Sequence, residues 1–265
     1  STRSGRITTR NMYRCKDCRH QCSITSGSLF HHSRIPLRKW FWLILLMSSN
    51  KHGISILQAQ KLLGIGSYRT VWRMSHTIRK AMASRDDRYK LAGIIELDDA
   101  TFGTRPKHSK TKRDSHKKQV RVAVSTSRQG KPGFCRMELV QPSKDELPAA
   151  IHMAQKRFEP NQSVKSDMAH TFRNLDTIGI RHDTLRLKKN PSMNQAFLPW
   201  VHMIISNAKG FLRGTHHRES PKYLQRFLDE FSYRFNRRWK EDELFNRLLS
   251  ACAIATPVKF GELRA

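Results

Sequence analysis

The sequence predicts an α/β chain whose mixed sheet joins three antiparallel strands to parallel ones. Helices flank the sheet, and a helical region and a cysteine-bearing segment precede it. Two observations carry this expectation. Up to about residue 90 apolar residues recur at helical spacing, whereas from residue 91 they alternate or bunch into short β-branched runs bounded by turn residues. Beyond that point strand-like and helix-like segments follow in the order β-β-β-α-β-α-β-α.

The first segment, residues 1–32, carries Cys15 and Cys18 in a Cys-x-x-Cys knuckle. Two thiolates at that spacing form half of a tetrahedral zinc site. Only Cys22, Cys135 and Cys252 remain downstream, so the second pair is expected upstream of Ser1, and the segment reads as a truncated zinc-ribbon remnant. Zn²⁺ is then a structural ion only if that upstream pair is present. His20, Cys22, His31 and His32 are the other candidate ligands, and a coincidental pair binding no metal is the alternative.

Residues 33–90 read as three helices. Pro36 suits a first turn, and the run 40–47 is apolar nearly all round, which predicts a buried helix. A second helix from about Ser55 ends at Gly64-Ile65-Gly66, and Ser67 caps the third. In that helix Val71, Met74 and Ile78 are the expected core, while Arg69, Arg73, His76 and Lys80 fall on one face. Helix, short glycine turn and basic-striped helix is the pattern of a helix-turn-helix that reads DNA; a small bundle with a solvated basic face is the alternative.

Residues 91–256 form the expected sheet domain, with 257–265 as a tail. Strands are placed at 91–97, 120–124 and 134–140, a helix at 142–157, and a fourth strand at 163–166. A strand near 184–187 and a long helix through Trp200, His202, Asn207 and Lys209 follow. Asp98 closes the first strand and Asp167 the fourth, and this order with acids at those two points is that of an RNase H-like fold. Two acids converging at neighbouring strand ends can bridge a divalent metal pair at a phosphodiester. Taken singly, Asp98 or Asp99 fits a turn and Asp167 a helix cap.

Charge narrows the partner without fixing it, a basic ribosome-like or membrane-surface protein being the alternative to one that binds nucleic acid. Fifty Lys and Arg against 21 Asp and Glu leave a net charge of +29, which calls for an anionic partner, nucleic acid first. The longest apolar run is too short to span a bilayer, no export signal is present, and five cysteines do not suggest a disulfide scaffold. A cytoplasmic, nucleoid-associated protein is expected.

The stretches Tyr-Arg-Cys-Lys-Asp-Cys (13–18), Thr-Ser-Gly-Ser-Leu-Phe-His (25–31), Ile-Pro-Leu-Arg-Lys-Trp-Phe (35–41), Glu-Leu-Asp-Asp (96–99) and Asp-Glu-Phe-Ser-Tyr-Arg-Phe-Asn-Arg-Arg (229–238) carry a resemblance. The chain resembles bacterial insertion-sequence transposases of the ISXO2-like group, with an N-terminal zinc ribbon and an RNase H-like DDE core. The resemblance implies that Asp98 and Asp167 are the first two catalytic acids, with Asp99 in a spot usually held by Glu. It implies that His202 stands in for the third acid and that Lys209, nearly two turns on, contacts DNA. Asp98, Asp167 and His202 would hold Mg²⁺ or Mn²⁺, and Glu230 is the next candidate for the third position. The implied function is metal-dependent cleavage and strand transfer at the element's terminal inverted repeats, by a homo-oligomer on DNA. The alternative is a catalytically inactive, transposase-derived DNA-binding protein.

Overall fold

The computed structural model describes residues 4–7, 12–103, 117–127, 129–140, 146–167, 172, 174–185, 197–216, 220–258 and 260–264. The N-terminal segment is a small antiparallel sheet of β1 (Ser4–Ile7), β2 (Met12–Cys15) and β3 (Gln21–Ser23).

Three helices follow: α1 (Leu37–Ser49), α2 (Ile56–Leu63) and α3 (Tyr68–Asp86). Their ends form where the sequence places them. The Ser55 side chain accepts from the Gln58 N–H, Gly64 closes α2 at φ +58, and the Ser67 side chain accepts from the Thr70 N–H. The helix α1 departs from expectation. Trp40, Leu43, Ile44 and Met47 are buried, but Phe41, Trp42 and Leu45 are exposed, because neighbours cover only one side of the helix.

The main sheet comprises β4 (Ile94–Phe102), β5 (Lys118–Thr126), β6 (Pro132–Leu139), β7 (Ser163–Asp167) and β8 (Arg181–Leu185). Around it lie α4 (Glu146–Arg157), α5 (Pro199–Thr215), α6 (Leu224–Phe235), α7 (Leu244–Ile254) and α8 (Phe260–Arg264). The strand order is β6-β5-β4-β7-β8, antiparallel from β6 to β4 and parallel from β4 to β8. This is the expected mixed α/β sheet flanked by helices, consistent with an RNase H-like core. Alternation along the strands builds two layers. Ala100, Phe102, Val120, Val122 and Val124 pack on Val201, Ile204 and Ala208 of α5, while Ile95, Leu97, Ala123 and Val164 pack towards Met153 and Ala154 of α4.

Several boundaries differ from the sequence reading: β4 begins at Ile94 rather than Leu91, and β5 and β6 each begin two residues early. Asp98 does not end β4: the strand runs on to Phe102, because Ala100 and Phe102 continue the inward alternation against β5. The last strand starts at Arg181 rather than near residue 184, and residues 186–187 of the expected strand lie outside the described residues, as do 142–145 at the expected helix start. A third core gathers α1, α2 and α3 with Tyr233, Leu244, Leu248 and Cys252, so the expected division between 33–90 and 91–256 is crossed by shared packing.

Candidate active site

Parallel pairing sets the centre of the site. Leu97 lies opposite Ser166, so Asp98 and Asp167 come next along neighbouring strands and project from the same sheet face. Neighbouring strands are about 4.8 Å apart, close enough for two carboxylates to repel. Burial first, and then the Asp167 charge, push the Asp98 carboxyl up to about 6, against a downward pull from His202. The His202 Nε2 lies 3.3 Å from the Asp98 Oδ2. One helix thus delivers an imidazole to the acid on the central strand. Lys209, further along α5, sets its Nζ 5.4 Å from the Phe102 ring centre. The structure brings together Asp98, Asp167 and His202, and places Lys209 on the same flank of β4.

Asp99 points the other way. Its oxygens take Nε and Nη2 of Arg121 at 2.9 Å each, and that guanidinium lies 5.3 Å from the Phe172 ring centre on the opposite layer. A carboxylate neutralised in this bidentate fashion is part of the sheet's own packing. Glu230 is also occupied: fully buried, it accepts from Arg79 Nε at 2.6 Å, far from any role as a third acid.

Two residues near the centre escaped the sequence reading. Glu96, buried on β4, accepts the N–H groups of Trp200 at 2.9 Å and Val201 at 2.8 Å, holding the first turn of α5 on the strand that carries Asp98. Burial raises its carboxyl, and the two N–H bonds, Lys165 and His202 oppose the rise. Lys165 sits opposite Glu96 on β7, with its Nζ 5.8 Å from the Phe197 ring centre. Each lies two residues before an acid already singled out, on the same strand face, but that spacing does not reveal what either side chain binds.

The donor chemistry at the centre suits a hard divalent cation, since two carboxylates in mutual repulsion offer oxygen ligands. The described residues contain no group of three His, Cys, Asp or Glu already arranged around a metal position. At the N-terminus the Cys15 and Cys18 knuckle is formed: the Cys18 N–H first, then that of Asp17 and the Cys18 thiol, hold the Cys15 thiol below its ordinary value. His20, Cys22, His31 and His32 do not complete a set with it among the described residues.

The stripe on α3 needs one correction. Arg69 and Arg73 are exposed, but His76 is fully buried against Trp72, Tyr223 and Phe227. Burial, reinforced by Arg79, pushes its ring down to about 2, so it is neutral and offers nothing to DNA. Lys80 pairs with Glu262 of α8. His76 is covered because α6 packs on it, while Lys80 keeps much of its side chain in solvent as it reaches α8.

These features define a sheet-borne acid pair with a helix-borne histidine, in a strongly basic chain. Residues 90–236 match the ISXO2-like transposase domain, and the chain belongs to that family. An uncharacterized protein in transposable element ISH50 of Halobacterium salinarum (strain ATCC 700922 / JCM 11081 / NRC-1) is 32% identical over 87 residues, 33% of this chain. The chain matches 28% of that relative's length. A chain in the cryoEM structure of the simian T-cell lymphotropic virus intasome in complex with PP2A regulatory subunit B56 gamma is similar at 13% identity and a TM-score of 0.33, over 64% of this chain and 63% of that one. A likeness this loose carries no argument. Among the described residues no helix is long and apolar enough to cross a membrane.

Proposed function

We propose that this transposase-family chain recognises the ends of an insertion sequence and cuts and rejoins DNA there, using an RNase H-like DDE-type core. The observation that carries the reading is the juxtaposition of Asp98 and Asp167 on neighbouring parallel strands with His202 at 3.3 Å from Asp98, all inside the segment matching the family.

Asp98 and Asp167 would hold Mg²⁺ or Mn²⁺, with His202 completing the set. When bound, such an ion supplies Lewis-acid charge at the scissile phosphate and favours a nucleophilic oxygen. His202 would either give the ion a nitrogen ligand, which favours Mn²⁺ over Mg²⁺, or carry a proton next to Asp98. Lys209 would contact a phosphate as a point charge, while Glu96 keeps α5 and its histidine on β4. Arg69 and Arg73, at the exposed start of α3, would engage the terminal inverted repeats, and two copies or more would join both ends. Zn²⁺ at Cys15 and Cys18 would need two further ligands from outside the knuckle. A nucleoid location follows from DNA as substrate.

The test is nicking of an end-labelled duplex carrying the element's terminal repeat, with Mg²⁺ and with Mn²⁺. His202→Ala is expected to abolish cleavage while leaving end binding intact, and His202→Glu to restore Mg²⁺-dependent cleavage. Normal cleavage by His202→Ala would place the third group elsewhere. End binding without cleavage by the parent chain would make it a DNA-binding relative of the enzymes.

A further inference from the structure

We propose that Arg85, Tyr89, Phe134, Arg238 and Trp239 form a surface that binds unpaired nucleic acid, distinct from the Asp98–Asp167 centre and from the exposed arginines at the start of α3. Large aromatic faces are left open here. Trp239 is 74% exposed, Phe134 38% and Tyr89 37%, and none is needed to complete a core.

The members are joined by contacts into one band. The Arg85 guanidinium lies 5.5 Å from the Tyr89 ring centre, and the Tyr89 and Phe134 rings are 5.8 Å apart. Next to Phe134, the Gly133 carbonyl accepts from Arg238 Nη1 at 3.2 Å, and Arg238 lies over Trp239 at 4.6 Å. Arg238 is itself fixed: it stacks 3.8 Å from the Phe235 ring centre, donates to the Phe235 carbonyl at 2.8 Å, and reaches the Pro132 carbonyl as well. An indole lying on a clamped guanidinium is held before any ligand arrives, which lowers the entropy lost on binding.

Charge selects the occupant. Of the nearby acids, Asp87 pairs with Arg136 and Arg157, and Glu243 with Lys240 and Arg247. Glu241 and Asp242, the two residues after Lys240, are exposed acids that follow Trp239 in the chain. Arg85 and Tyr89 also line a cleft of about 400 Å³ whose walls include Arg237, paired with Asp86, and Arg247, paired with Glu243 of the same wall. Open rings interleaved with cations match a strand that offers both unstacked bases and phosphates; the bases of a duplex keep their faces stacked on one another.

The experiment uses the full chain and fluorescence anisotropy, with a labelled twelve-nucleotide oligothymidine and a duplex of equal length. Trp239→Ala is expected to weaken oligothymidine binding by roughly fivefold or more, with duplex binding unchanged and the salt slope intact, because stacking is not ionic. Arg85→Ala should instead flatten the salt slope, and indole emission of the parent chain should be quenched by oligothymidine. Equal affinity of Trp239→Ala and parent for oligothymidine would overturn the proposal, as would equal losses on strand and duplex. So would light scattering that shows Trp239→Ala to dissociate a dimer while strand binding persists, which would make the band a contact between copies. Strand binding requires no cleavage, so an inactive Asp98–Asp167 centre would leave this result standing.

Discussion

Asp98 stores an electrostatic cost in the fold. Its carboxyl, ordinarily at 3.8, is raised to about 6 by burial and by Asp167. A carboxyl raised on folding favours the folded chain below about pH 3.8, and that contribution is lost as pH climbs through 6. Without divalent metal, Asp98→Asn should therefore be more stable than the parent above pH 6, by roughly 1–3 kcal/mol, with the difference gone near pH 4. Thermal melts in chelator at pH 8 and pH 4 check this, and a parent chain equal to the variant at both would contradict it. Glu96 makes a second prediction. Glu96→Ala should speed amide exchange at Trp200 and Val201, whereas Glu96→Gln, which keeps an acceptor, should retain most of the protection. The meeting of Asp98 and Asp167 was legible because each acid follows an apolar strand segment, whereas His202 was singled out only through the family resemblance. Glu96 was not legible, since its partners lie more than a hundred residues away and only the docked helix makes its carboxylate a cap.

Helix α3 shows what a helical wheel resolves and what it does not. The inward row of Val71, Met74 and Ile78 follows from spacing, and the caps follow from Ser67 and Gly64. The basic stripe does not survive as a unit, because spacing tells which residues share a face but not how many faces a distant element covers. Here α6 buries His76 and Arg79, leaving Arg69 and Arg73 outside. Double replacement of Arg69 and Arg73 by Ala should weaken binding to element ends more than to random duplex; equal losses would reduce the helix start to a charge patch. His76→Ala should leave the salt dependence of binding unchanged. The buried pair beneath carries a stability prediction: Arg79→Ala strands the Glu230 carboxylate and should cost roughly 3–5 kcal/mol in urea unfolding. A cost near zero would mean that Glu230 finds another partner once Arg79 is gone.

At the scale of the molecule, several of the described acids are spent on internal pairs with arginine. Asp86, Asp87, Asp99, Glu138 and Glu230 all bind arginines, which leaves much of the net charge of +29 for a partner. That division of labour is invisible in a composition count, yet it is why DNA affinity should fall steeply with salt. The succession of strands and helices along the chain was legible from alternation and turn residues; the shared core of α1, α2, α3 and α7 was not, because no local pattern says which helices meet. The most direct measurement of the Asp98–Asp167 centre is strand cleavage on the element's own ends, with Mn²⁺ or with chelator. The parent chain should release 3′-hydroxyl ends only with the ion, and Asp98→Asn and Asp167→Asn should each bind those ends normally yet cut none. Undiminished cleavage by either variant, or by the parent chain in chelator, would contradict a metal-dependent centre at these two acids.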